Sequence, residues 1–161
     1  MKYLYYILII SSITLYSCST ADDKSCRETE KVQMHINFFD TVYNAASGKV
    51  SEKQLYIDSL TIQGIGSDSL LYENKKNLHE IFLPLKKNEN STQFVILFNQ
   101  TADTITIQHL NSNYFISLAC GCEIVQNIEN VTFTHNYIDS LQIINPAINL
   151  LDVKNIKIYH F

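Results

Sequence analysis

Apolar and polar residues alternate along many short segments of this chain. In the first of these segments, Val32, Met34, Ile36 and Phe38 alternate with polar residues. A period of two places successive side chains on opposite faces of a β-strand, so we predict a half-buried strand with His35 on its polar face. The same reasoning predicts further strands over residues 60–63, 70–72, 81–85, 93–98, 104–108, 114–120, 131–135, 138–144 and 156–161.

Some segments allow a more detailed prediction. The unbroken β-forming run 93–98 predicts a central strand covered on both faces. Pro84 has no backbone N–H to donate, so its strand is expected at the edge of a sheet. The small and polar residues of 44–53 predict a loop, and the asparagines of 111–113 predict a turn.

Short strands separated by turns indicate an all-β chain. No window of twelve residues keeps a helical apolar stripe, and the chain has only four Gly and two Pro among 161 residues. We therefore predict an antiparallel β-sandwich of immunoglobulin-like or related topology over residues 31–161. A small closed barrel is the alternative.

The N-terminal segment has the pattern of a bacterial lipoprotein signal peptide over residues 1–17. Lys2 supplies a positive charge, and an apolar run over 3–10 follows. This run is shorter than the roughly 20 residues of a membrane-spanning helix. Leu15 and the small Ser17 precede Cys18, which predicts acylation of Cys18 with palmitate or similar chains. An ordinary secretory signal with an incidental cysteine is the alternative.

Acylation of Cys18 would define the location of the protein. Two or three acyl chains hold a protein firmly on a membrane. Residues 18–30 are mostly polar and read as a tether, and Ser19–Lys24 resembles the acidic export segment of some surface-exposed Bacteroidetes lipoproteins. We therefore expect a lipid-anchored protein of the outer membrane, on its periplasmic face or at the cell surface, with the membrane as one partner.

Charge and motif content predict little chemistry. The chain has 12 basic and 16 acidic residues and no basic–aromatic patch, so nucleic-acid binding is not expected. It contains no nucleophile elbow or phosphate loop, and we predict no catalytic residues. We also predict no metal and no cofactor, because none of the five histidines has ligand spacing. These histidines are His35, His79, His109, His135 and His160.

Three cysteines besides Cys18 are expected to lie in an oxidising compartment. Three is an odd number, so one internal disulfide and one free thiol are predicted. We favour Cys26 with Cys120, which would close a long loop and contribute about 4–5 kcal/mol on the chain-entropy model. Cys26 with Cys122 is the rival pairing. A redox pair of Cys120 and Cys122 is less favoured, because its apolar and acidic flanks do not lower a thiol pKa.

Five sites share the pattern Asp, then Ser or Thr, then an apolar residue. The favoured interpretation is structural, because Asp caps turns by accepting hydrogen bonds from nearby backbone. The pattern also resembles the O-glycosylation motif of Bacteroidetes exported proteins. The candidate acceptors are Thr41, Ser59, Ser69, Thr104 and Ser140.

Three segments resemble a family of small uncharacterised Bacteroidetes lipoproteins. They are Asp58–Leu60 with Gly64–Tyr72, the run Ile81–Leu85, and Ala119–Gly121. The resemblance covers residues 26–161 and implies an envelope lipoprotein with no assigned activity.

We therefore expect a binding or scaffolding module whose partner is an envelope protein or a glycan. Strand edges and tyrosines such as Tyr72 and Tyr114 are the candidate contacts. A small extracytoplasmic hydrolase is the alternative, and a redox carrier that uses Cys120 and Cys122 is the third hypothesis.

Overall fold

The structure is a computed structural model that describes residues 31–45, 48–118 and 120–161. The predicted signal peptide over 1–17, the tether over 18–30, Cys18 and Cys26 lie outside the described residues. These residues form strands and contain no helix, so none of them forms a helix long and apolar enough to cross a membrane. The prediction of an all-β chain is confirmed.

The described residues form eleven strands. They are β1 (Met34–Asn44), β2 (Lys49–Gln54), β3 (Leu60–Gly64), β4 (Leu70–Lys75), β5 (Glu80–Leu83), β6 (Ser91–Phe98), β7 (Thr101–Ser117), β8 (Gly121–Phe133), β9 (Ser140–Ile143), β10 (Ala147–Ile148) and β11 (Lys154–Tyr159).

The strands are divided between two sheets. In the first sheet the order is β2-β1-β11-β9, and β5 also pairs with β1. In the second sheet the order is β10-β8-β7-β6-β3-β4, and every pair is antiparallel. The first sheet departs from the purely antiparallel prediction, because β1 and β11 pair in parallel. The prediction of a β-sandwich is otherwise confirmed.

A dry core lies between the two sheets. Phe38 of the first sheet meets Phe98 of the second edge-to-face, with ring centroids 5.8 Å apart. Tyr137 stacks on the ring of Phe98, with ring centroids 4.6 Å apart. Fully buried aliphatic and aromatic side chains surround these rings. They include Met34, Ile36, Leu60, Ile62, Ile81, Leu83, Ile96, Ile105, Ile107, Ile156 and Ile158.

The first part of β1, residues 34–38, is buried on both faces, which corrects the prediction of a half-buried strand. Met34 and Ile36 face the core as predicted, but His35 is only 6% exposed and Asn37 is fully buried. The ring of Phe82 lies 4.3 Å from the ring of His35. Neighbouring side chains of the protein, rather than water, therefore cover the polar face of this part of β1.

Three other predictions about strands are corrected. β2 occupies the predicted loop 44–53, and all six of its residues are exposed, so no apolar pattern marks it. β6 is central but buried on one face only. β7 runs straight through the predicted turn at 111–113, because Asn111 donates its side-chain hydrogen bonds to the carbonyls of 86, 87 and 89 instead of to a local turn. The edge position of the strand before Pro84 is confirmed, since β5 pairs only with β1 among the described strands.

The core predicts a sharp contrast between two neighbouring residues of β6. Replacing the buried Phe98 by Ala should lower the free energy of unfolding by about 3–5 kcal/mol, because it leaves a cavity between Phe38 and Tyr137. The matched Leu97→Ala change should cost under about 1 kcal/mol, since Leu97 is 37% exposed. Urea unfolding followed by circular dichroism measures both, and equal losses would contradict this packing.

Candidate functional site

The longest strands of the second sheet extend beyond their neighbours. β6 pairs with β7 only over Thr101–Gln108, whereas β7 and β8 stay paired as far as Ser117 and Gly121. On the other side, β10 pairs with only two residues of β8. Residues 112–118 and 120–125 therefore form a two-stranded extension of the sheet, which we call the ribbon.

A groove of about 410 Å³ lies where the ribbon leaves the sandwich. We call it the edge groove. No Asp, Glu, Lys, Arg or His is among its lining residues, so it suits a neutral and partly apolar ligand. These residues are Ser112, Tyr114, Val125, Gln126, Asn127, Ala147, Ile148, Asn149, Leu150 and Leu151.

Gln126 is the polar residue most deeply placed in the edge groove. Its side chain is 4% exposed, and its amide oxygen has no hydrogen-bond partner among the described residues. A buried acceptor without a donor costs about 1–3 kcal/mol. Rotating the amide by half a turn exchanges its oxygen and nitrogen, so Gln126 can offer either an acceptor or a donor.

The backbone next to the edge groove is an open sheet edge in the part of the chain that the structure describes. β10 meets β8 only at Gln126 and Asn127. Gly121–Val125 of β8 thus have β7 as their sole strand partner among the described residues. Such an edge presents unpaired N–H and C=O groups to any extended chain beside it.

A second polar cluster is centred on His35. Its Nδ1 lies 2.9 Å from the carboxylate of Asp152, and its Nε2 lies 3.1 Å from the carboxylate of Glu80. With both ring nitrogens facing carboxylates, the imidazolium form donates to both. Burial raises the pKa of Glu80, but hydrogen bonds and positive charge from His35, with further help from His79 and Asn37, hold this pKa below its usual value.

A smaller cavity of about 310 Å³ lies beside this cluster. It shares residues 149–151 with the edge groove, so this segment forms the wall between the two. No Ser, Thr or Cys is among the residues that line the smaller cavity, so it offers no hydroxyl or thiol nucleophile to the neighbouring imidazole. Within the described residues, no group of three or more His, Cys, Asp and Glu side chains could hold a metal ion.

Two of the candidate cysteines, Cys120 and Cys122, lie at the end of the ribbon. Cys120 is disulfide-bonded, and Cys122 is a free cysteine with an exposed side chain. No disulfide therefore joins two described residues. Cys26 lies outside the described residues, so its pairing with Cys120 stays a prediction. The free state of Cys122 disagrees with the rival pairing of Cys26 with Cys122.

The two candidate contact tyrosines differ in their environment. Tyr72 packs against the core, and its hydroxyl accepts a hydrogen bond from the Phe82 N–H at 2.9 Å. Its hydroxyl also lies 3.3 Å from the Phe82 carbonyl, to which it donates. Tyr114 is 54% exposed and lines the edge groove. Of the two, only Tyr114 is therefore placed to contact a ligand there.

The structure scatters the candidate glycosylation sites over both sheets. Ser69 is exposed, and the other four side chains are partly buried. The Ser59 hydroxyl donates to the Asn74 side chain at 2.8 Å. Glycosylation at these sites stays a prediction. The sites are Thr41, Ser59, Ser69, Thr104 and Ser140.

The aspartate of one of these motifs has a long-range structural role. Asp103 is 1% exposed and accepts hydrogen bonds from the backbone N–H groups of Asn136, Tyr137 and Ile138. The Thr134 hydroxyl also donates to it. Burial raises the pKa of Asp103, but these four donors hold it below its usual value. Asp103 thus fixes a distant loop, whereas the sequence predicted a cap on nearby backbone.

Sequence reasoning missed the residues that define both polar features. Gln126 is a polar residue next to Asn127, and neither residue type gives an indication of burial. His35 was assigned to a solvated face, and the separation of Glu80 and Asp152 from it in sequence gave no signal. The exposed Tyr114 was the one residue of the edge groove that the sequence identified.

The comparisons with known proteins identify the family but no activity. Residues 59–160 match the model of a family of unknown function (DUF6452), and the chain belongs to this family. The expected membership of an uncharacterised family is confirmed. That its members are lipoproteins stays a prediction.

A distant likeness links the chain to a DNA-directed RNA polymerase subunit alpha from Takakia lepidozioides. The two are 25% identical over 117 residues. The aligned region covers 73% of this chain and 32% of the relative, so the chain spans about a third of that protein. No solved structure matches the chain.

The hydrogen bonds of Asp103 predict a measurable effect on stability. In Asp103→Asn, an amide NH₂ group replaces one of the two carboxylate oxygens. This group is a donor and faces a backbone N–H donor, so the free energy of unfolding at pH 7 should fall by about 3 kcal/mol. The exposed Asp68→Asn is the control, with an expected change within about 0.5 kcal/mol.

The same variant should change the acid dependence of stability. The pKa of Asp103 is lower in the native state than in the unfolded state, where it is about 3.9. The contribution of Asp103 to the free energy of unfolding is therefore complete above the unfolded-state pKa and is lost as the pH falls through the native pKa. Unfolding measured between pH 6 and about pH 2 should therefore decline less steeply for Asp103→Asn than for the wild type. Parallel curves would contradict this role.

Proposed function

We propose that this protein is a binding module, held on the outer membrane by acyl chains on Cys18, whose ligand is an extended peptide segment of another envelope protein. The observation that carries the proposal is the neutral edge groove beside an open strand edge. The lipid anchor is supported by the Leu15–Cys18 pattern that follows the apolar run.

An extended peptide matches the backbone groups beside the groove. β10 runs antiparallel to β8 and ends at Ile148, opposite Gln126. A peptide lying in line with β10 would continue this pairing along Gly121–Val125. Main-chain hydrogen bonds would then supply affinity without regard to sequence, as in other cases of strand addition.

The side chains of the groove would supply selectivity. Val125, Leu150 and Leu151 offer apolar surface, which suits an apolar residue at every second peptide position. Gln126 offers its buried amide to a peptide N–H or C=O group. A charged peptide residue at this point would meet no opposite charge, so the ligand is expected to be neutral there.

Metabolic labelling with palmitate tests the anchor. The wild type should incorporate labelled palmitate and partition into detergent, because the thiol of Cys18 carries the acyl chains. Cys18→Ser should lose both properties, and the matched Cys122→Ser should keep both. Labelling that survives in Cys18→Ser would contradict the anchor.

Photocross-linking in intact cells of the native host tests the peptide ligand. A photoreactive residue at Leu151, which is 69% exposed, should form an adduct with a segment of another envelope protein, mapped by mass spectrometry. Leu71 is exposed on β4 at the opposite edge of the same sheet, and the same residue placed there should form no such adduct. Adding Leu150→Arg should remove the adduct, because it places an unpaired charge in the groove.

Two outcomes of this experiment would overturn the peptide proposal. One is an adduct at Leu151 that contains only carbohydrate. The other is a cross-link confined to residues of the same chain that precede Lys31, which would mean that the protein covers its own groove.

A further inference from the structure

The end of the ribbon exposes large apolar side chains to solvent. Leu118 is 98% exposed and Phe115 is 58% exposed. The only formally charged side chain in the ribbon is Glu123, and it pairs with Lys87. An exposed apolar end with no unpaired charge is typical of a surface that contacts another protein or a membrane.

The cysteines indicate what the apolar end of the ribbon contacts. Cys120 lies at the end of the ribbon and is disulfide-bonded. Its predicted partner, Cys26, follows the predicted acylation site, Cys18, by eight residues. Eight extended residues span at most about 28 Å, so this disulfide would keep the end of the ribbon close to the bilayer that holds the acyl chains.

We infer that Leu118 and Phe115 form a membrane-contacting end, which rests on the phospholipid surface that anchors Cys18. This inference rests on the lipid anchor of the proposed function. The ribbon lies at the level of the headgroups, because its open edges carry backbone groups that cannot be left unpaired in hydrocarbon. Leucine and aromatic side chains are suited to this depth.

This orientation determines how far the rest of the molecule lies from the membrane surface. β7 has 17 residues, so its far end lies about 50 Å from the ribbon end, at a rise of about 3.3 Å per residue. Leu97 of β6 pairs with Ala102 at that far end. The sandwich would thus stand upright on the membrane, with the edge groove nearer to the lipid than the β6–β7 turn.

The absence of tryptophan from the chain makes a direct test practical. Leu118→Trp and Leu97→Trp each introduce a single fluorescent reporter at an exposed position, at opposite ends of β7. Each acylated full-length variant is reconstituted in phosphatidylcholine vesicles with a spin label on a fraction of the headgroups. Flotation of the vesicles separately measures whether the protein is anchored.

The two variants should respond differently. Leu118→Trp should lose emission to the headgroup label and shift to shorter wavelength on vesicles, and Leu97→Trp should do neither. Protein that floats while Leu118→Trp is unquenched, or while both variants are quenched equally, would overturn the orientation and leave the anchor intact. Protein that fails to float would overturn both.

Discussion

A mismatch in strand length determines the two surfaces for which we propose a function. β7 and β8 have 17 and 13 residues, whereas β6 has eight and β10 has two. A sheet can cover its central strands only as far as their neighbours extend. Where β6 and β10 end, β7 and β8 must continue as a ribbon with open edges among the described strands. The edge groove and the apolar ribbon end both follow from this constraint.

An isolated two-stranded ribbon is only marginally stable in water. Two features support this one at different points. Near its base, Asn111 holds the carbonyls of residues 86, 87 and 89, which fastens β7 to the loop before β6. Near its end, Cys120 is disulfide-bonded. A cross-link there reduces the conformational freedom of the strands when they separate, so the ribbon need not rely on its own packing.

The sequence predicted what depends on local alternation and missed what depends on distant partners. Met34 and Ile36 face the core because a strand has a period of two, and this alternation can be predicted from the sequence. β2 has no apolar face, so it has no pattern to find. His35 was assigned to the solvated face, because alternation cannot show that Glu80 and Asp152 cover it. The turn predicted at 111–113 failed for the same reason, since Asn111 finds its partners in another loop.

The first sheet also shapes the groove on the second. Asp152 directly follows the segment 149–151 that separates the two cavities, and its carboxylate lies 2.9 Å from Nδ1 of His35 on β1. Asn155 accepts the backbone N–H of His35 and donates to the carbonyls of Asn145 and Ala147, on either side of Pro146. Side chains of β1 and β11 therefore position β10 and the wall of the edge groove. Because these contacts cross between the sheets, the shape of the edge groove depends on the assembled sandwich rather than on the ribbon alone.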